Sequence, residues 1–248
     1  MLRQILSSSS CTNSKAFFGA CRHQGKEQYQ RVVVFSSSSS TLSSTSGRRP
    51  LNSNNNNITK RDYSSIYTWG TNKNGTLLQS TTESIVWEPQ HPTTLDEYEN
   101  KVTDVICGAT DTAIILEDGS VYACGTNKNG QLGFGHTNPV PMLTKIPDIP
   151  PISQVAFGPS MAALITKEHG DLYTCGFGGS LASGMGCLGH GDGDSITEFK
   201  RVESLVEDGC VAADVELGDS SMVVLTTENE VLTTGASAYG RLGNGETR

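Results

Sequence analysis

The 248-residue chain carries 18 Lys and Arg against 26 Asp and Glu, a formal charge of −8 at pH 7. Residues 1–63 hold nine of the basic residues against only Glu27 and Asp62, so that segment is about +7 and the remainder about −15; an acidic body is a poor match to a phosphate backbone, and no direct DNA binding is expected. No run approaches the ~18 apolar residues of a membrane helix, Val32 to Phe35 being the longest candidate, and the seven cysteines, at 11, 21, 107, 124, 175, 187 and 210, include no C-x-x-C pair, which argues against a disulfide framework or a zinc site.

The first element in chain order is a leader over residues 1–63. Runs of Ser and Asn (Ser7 to Ser10, Ser36 to Ser40, Asn54 to Asn57) leave it too few apolar groups to offset its ordering entropy, and it is expected to be disordered. It is rich in Ser and Arg, nearly free of acids, and without the apolar core of a secretory signal, a composition that resembles a mitochondrial transit peptide. At its end stands Arg61-Asp-Tyr63-Ser64, similar to the mitochondrial processing pattern of Arg three residues before the cut, an aromatic at the cut and Ser after it. A mitochondrial location is expected, with cytosol or nucleus as the alternative.

From Ser64 to Arg248 the chain repeats itself. Four phrases, Tyr67-Thr-Trp-Gly70, Tyr122-Ala-Cys-Gly125, Tyr173-Thr-Cys-Gly176 and Leu232-Thr-Thr-Gly235, recur at a period near 50. Each leads to a second phrase, such as Gly130-Gln-Leu-Gly-Phe-Gly135 or Gly240-Arg-Leu-Gly-Asn-Gly245. A third precedes it, with an apolar residue every three positions and a glycine at the end: Val102, Val105, Gly108; Ile152, Val155, Gly158; Ala212, Val215, Gly218.

Between the third phrase and the first, Ala113 to Glu117 and Ser120 to Cys124 are β-branched or apolar runs joined at Asp118-Gly119, which predicts a hairpin with a two-residue turn. His169-Gly170 and Glu228-Asn229 stand at the equivalent turns. With an inner strand before the hairpin and room for an outer one near Thr144 to Ile146, each unit is a four-stranded blade of a β-propeller, an all-β fold. The glycines that end the strands are expected to let backbones approach where blades converge on the axis.

The run Leu116-Glu-Asp-Gly-Ser-Val-Tyr-Ala-Cys-Gly-Thr-Asn-Lys-Asn-Gly-Gln-Leu-Gly-Phe-Gly135 resembles the signature repeat of the regulator of chromosome condensation family. The resemblance covers residues 66–248 and implies a seven-bladed propeller, of which about three and a half repeats are present. It also implies a protein-binding role: exchange-factor-like regulation of a GTPase, small or dynamin-like, or work on a mitochondrial ribosome or RNA-processing assembly. A nuclear or cytosolic exchange factor, or an adaptor in chromatin or ubiquitin pathways, is the alternative. The family usually places His three residues after the inner-strand glycine, where this chain has Asp111, Met161 and Ser221.

The third repeat carries five extra residues within Phe177-Gly-Gly-Ser-Leu-Ala-Ser-Gly-Met-Gly-Cys187. They must leave the blade as a loop, and Phe177, Gly178, Gly179, Ser180, Leu181, Ala182 and Ser183 are the candidate partner contact. Gly184 to Gly189 satisfies G-x-G-x-x-G, but the strand and helix that a dinucleotide site requires are not predicted around it. Asp192, Asp194 and Glu198 lack the spacing of a calcium loop. His136 and His190 have no acid or cysteine at ligand spacing. No nucleophile elbow, zinc-protease helix or phosphate loop occurs, so no enzyme, cofactor or metal is expected.

Overall fold

The computed structural model describes residues 15–20, 30–36, 65–79, 83–98, 101–180 and 184–245. They form four antiparallel sheets in sequence. The first contains β1 (Lys15–Ala20), β2 (Gln30–Ser36), β3 (Ser65–Thr71) and β4 (Ile85–Gln90), in that spatial order. The second contains β5 (Val102–Cys107), β6 (Asp111–Leu116), β7 (Val121–Gly125) and β8 (Val140–Lys145). The third blade has β9 (Ile152–Phe157), β10 (Met161–Thr166) and β11 (Leu172–Gly176). After a separate hairpin of β12 (Gly179–Ser180) and β13 (Gly184–Met185) it is closed by β14 (Ile196–Arg201). A short helix α1 (Glu203–Glu207) leads to the fourth sheet, β15 (Ala212–Leu217), β16 (Ser221–Thr226) and β17 (Val231–Gly235).

The register repeats from blade to blade: Gln30 pairs with Gly70, Asp111 with Gly125, Met161 with Gly176 and Ser221 with Gly235. That shared register identifies β1 and β2 as the inner pair of the first blade, although both lie in the segment for which the sequence predicts disorder and no strands. Gln30-Arg-Val-Val-Val-Phe-Ser36 is a β-branched run with a ready partner in β3. Polar tracts on both sides hide it from an argument based on average composition. Three four-stranded sheets and one three-stranded sheet therefore stand where the sequence suggests three and a half repeats. The expected processing residues Arg61, Tyr63 and Ser64 lie outside the described residues.

The hairpins stand where predicted, with a different turn. Gly119 N–H donates to the Leu116 carbonyl at 2.9 Å and Leu116 N–H to the Ser120 carbonyl at 2.9 Å. The loop thus has three residues, a tight turn followed by Gly119 at φ 83°. Asp118 accepts from the Ser120 N–H at 2.8 Å, which fixes the loop from within. The fourth blade repeats the arrangement with Asn229 at φ 65°, and the third lengthens it by one residue, with Thr166 N–H donating to Asp171.

Blades pack face to face. Every residue of β6 is buried, because its alternate side chains enter two different cores. Ile114 and Leu116 meet Ile66, Leu78 and Leu95 of the first blade. Ala113 and Ile115 meet Ile152, Val155 and Leu164 of the third. The third and fourth blades join through Ala163, Ile165, Leu172, Val215, Met222 and Val224. A strand sandwiched between two neighbours reads as a continuous apolar run, and no blade can bury both faces alone.

Two sets of glycines do different work. A Cβ on Gly125, Gly176 or Gly235, all at φ between 109° and 132°, would collide with the carbonyl of Thr110, Ser160 or Ser220 in the same blade. These three glycines therefore fit the strand end against its own inner hairpin. Approach between blades falls to the inner-strand set: a Cβ on Gly108 would meet Phe157, and one on Gly158 the Gly218 carbonyl, each in the next blade.

A further repeated contact fastens the blades. Just before the strand-ending glycine, Cys124 Sγ donates to the Gly75 carbonyl at 3.2 Å, Cys175 Sγ to the Gln131 carbonyl at 3.4 Å, and Thr234 Oγ1 to the Gly186 carbonyl at 2.8 Å. Each bond reaches the preceding blade. Burial pushes both thiols well above the usual range, so they remain protonated donors.

Candidate interaction surface

The insert leaves the third blade directly after Gly176. Its base is tied down: Phe177 N–H donates to the Ser160 carbonyl at 2.9 Å, and Cys187 N–H closes the neck on the Gly178 carbonyl at 3.1 Å. Gly178 lies so close to the loop at 193–194 that a Cβ would collide with the Asp194 carbonyl. Beyond the neck, Gly179 pairs with Met185 and Ser180 with Gly184 in a small hairpin. Leu181, Ala182 and Ser183, which complete the expected contact loop, lie outside the described residues.

The far end of the insert belongs to the core. Cys187 and Leu188 are buried with Met161, and Cys187 Sγ donates to the Ser220 carbonyl of the fourth blade at 3.2 Å. The projecting part is thus narrower than Phe177 to Cys187. Gly186 and Gly189 both have φ 80°, and the G-x-G-x-x-G run passes from β13 into the repeat turn with no helix at its end.

Met185 is 52% exposed at the mouth of an open cleft of about 470 Å³, which His190, Lys200, Glu203, Ser204 and Thr234 also line. His190 Nε2 lies 3.0 Å from Thr174 Oγ1, whose hydroxyl donates to the Leu188 carbonyl at 2.8 Å. The histidine therefore donates to the threonine oxygen. Burial, then the Lys200 charge, lower its pKa and favour this neutral form. The cleft offers one apolar side chain, one lysine and a neutral donor, with Glu203 held by Arg201 at 2.9 Å, a surface suited to binding. Among the described residues no three metal-ligating side chains come together: His136 Nδ1 lies 3.4 Å from Asn127 Nδ2, which donates to the His136 carbonyl at 2.7 Å, and Asp192 accepts from the Asp194 N–H at 3.1 Å.

Sequence reasoning found the departure at position 111 but not its environment. Asp111 is fully buried. Its Oδ2 accepts from Thr110 Oγ1 at 3.2 Å and Gln131 Nε2 at 3.4 Å, while Oδ1 has no partner. Burial outweighs the bonds from Gln131, Thr110 and the Thr126 backbone and lifts the carboxyl to about 7.

The model of the regulator of chromosome condensation (RCC1) repeat matches residues 64–115 and 118–165, and a second model of the same repeat matches 102–131. The chain belongs to the RCC1 repeat family. Human protein RCC2 is 30% identical over 206 residues, covering 73% of this chain and 38% of that protein. The chain thus spans well under half the length of this curated relative. Among solved structures, human WBSCR16 superposes with a TM-score of 0.63 at 16% identity over 92% of this chain and 53% of its own. Yeast RCC1 (Prp20) bound to Kap60 gives 0.59 at 15% identity over 95% and 47%. Prp20p of Saccharomyces cerevisiae, in a structure reported with its binding to Gsp1p and histones, gives 0.52 at 22% identity over 62% and 37%. These likenesses establish the RCC1 propeller fold. Residues 64–248 make up about three-quarters of the chain, so a match over 92% must run into the leader, where β1 and β2 lie.

Proposed function

We propose that this RCC1-repeat chain is a non-catalytic docking propeller whose third-blade hairpin engages a protein partner, foremost a GTPase. The carrying observation is the hairpin itself: it is fixed at its neck by backbone bonds, yet it holds Met185 out beside an open cleft. Rigid bases with projecting loops are a common platform for recognition. The reported binding of Prp20p to Gsp1p supports a GTPase as the first class to test. The leader's composition supports a mitochondrial setting, where a ribosome or RNA-processing assembly is a further candidate.

Replacing Gly179–Met185 in the full chain by Asn-Gly, with Cys187 retained, should leave stability within about 1 kcal/mol, as for changes away from core and caps. Affinity capture from mitochondria should lose its GTPase, and the captured GTPase should release labelled GDP faster with the intact chain than with the variant. Unchanged capture refutes the docking role; capture without faster release leaves binding and removes exchange. A C-terminal fluorescent fusion seen only in cytosol or nucleus would refute the location.

A further inference from the structure

Asp111 stands where three blades are fastened to one another. The shared register pairs Asp111, Met161 and Ser221 with the strand-ending glycines of their blades, so this carboxyl occupies a place that a thioether or a hydroxyl fills elsewhere. It is fully buried, beneath the turn at 126–131. The Thr126 N–H ties that turn to the Thr110 carbonyl at 3.0 Å. Gln131 Nε2 ties it to the carboxyl and also donates to the Thr126 carbonyl at 2.7 Å. The same two residues hold the flanking blades: Asn74 Nδ2 of the first blade donates to Thr126 Oγ1 at 2.9 Å, and Cys175 Sγ of the third donates to the Gln131 carbonyl.

This fastening suits a neutral carboxyl. Oδ2 takes the donors of Thr110 and Gln131 while Oδ1 has none, and the Gly125 backbone lies so close that a Cβ there would meet Oδ1. The groups that act on the carboxyl, Gln131, Thr110 and the Thr126 backbone, carry no charge. Its own charge bears on the Cys124 thiol of β7 and the Cys175 thiol of β11, both protonated. No cation among these offsets a negative charge, and a buried carboxylate with one bare oxygen is relieved by reaching water. Strands β5, β6 and β7 are held in the sheet on both sides of it, so the cover that gives way is the turn.

We infer that the turn at 126–131 is a proton-controlled fastener: with Asp111 protonated it holds the first and third blades to the second, and loss of the proton lifts it, freeing Thr126 from Asn74 and Gln131 from Cys175. Cys175 directly precedes Gly176, where the insert leaves its blade. Opening thus reaches the root of the hairpin, whether or not that hairpin binds a partner. The covered carboxyl titrates at about 7 against 3.8 in water, so opening releases a proton between those values. The open fraction therefore rises about tenfold per pH unit in that window and levels off above it.

Amide hydrogen exchange of the isotope-labelled 248-residue chain, corrected for the intrinsic effect of pH, tests this between pH 5 and 7. The Thr126 and Asn129 amides, whose acceptors are the Thr110 carbonyl and the Gln131 side chain, should lose protection about tenfold per pH unit. Dilute urea should leave their exchange unchanged, the mark of a local opening, while the amides of β10 stay better protected and respond to urea. Asp111→Asn should make both turn amides independent of pH, and Asp111→Ser serves if that variant fails to fold, since Ser221 fills the same place in the fourth blade. Turn protection that does not change with pH, a pH dependence that survives the substitution, or turn and β10 amides exchanging at one rate with one urea dependence would overturn the inference.

Discussion

Asp111 shows how one buried side chain sets a pH dependence. Its carboxyl titrates at about 7 in the fold, against 3.8 for the free group. Between those values the folded chain therefore holds a proton that the unfolded chain has released, and stability falls as pH rises through that window, levelling off above it. The ceiling is on the order of 4 kcal/mol, from three pKa units at ~1.4 kcal/mol each. Asp111→Asn should remove this component, so that the variant gains on the parent chain between pH 4 and 7 in denaturant titrations. A difference that stays constant with pH would show that Oδ1 finds a partner. The sequence marks position 111 as unusual because histidine is customary there. Its burial was not legible, since Gln131, which sits over it, comes from the second phrase of the same repeat and meets it only in three dimensions.

At the scale of elements, strands and hairpins were readable because the period of two and the αL residues are local signals. The Asp118-Gly119 turn was placed correctly but assigned one residue too few, because Asp-Gly serves both a two-residue turn and a three-residue loop ending in αL; the bond from Gly119 to Leu116 decides between them. The small β12–β13 hairpin was legible as five surplus residues, whereas the anchoring of Cys187 was not, since it depends on Ser220 in the next blade. β2 escaped because its only cue is a short β-branched run between polar tracts. Deleting residues 30–36 should release the β3 amides bonded to β2, which hydrogen exchange will read as loss of protection across Ser65–Thr71. Protection unchanged by the deletion would mean that β3 is held by β4 alone.

For the whole molecule, the inner pair of the first blade bears on maturation. Processing after Tyr63 would carry away β1 and β2 and leave β3 and β4 without the partners that every other blade possesses. The fold therefore favours a mature chain that keeps its inner pair. N-terminal sequencing of the protein from isolated mitochondria should find a start before Lys15; a start at Ser64 would show that the first blade works with its outer strands alone. The number of repeats and their order were evident from the recurring phrases. Which blade was complete was not, because the first blade's strands are split by residues 37–64.

That split has an evolutionary consequence. Residues 37–64 join two strands already paired side by side, and they include Ser37 to Ser40 and Asn54 to Asn57, homopolymers of the kind that lengthen and shorten when their coding repeats slip during replication. Lengthening the chain between two paired strands costs little, about 0.6 kcal/mol for each doubling of the connection. Selection acting on stability would scarcely register such changes, so the tract is free to drift in length while β2 and β3 keep their register.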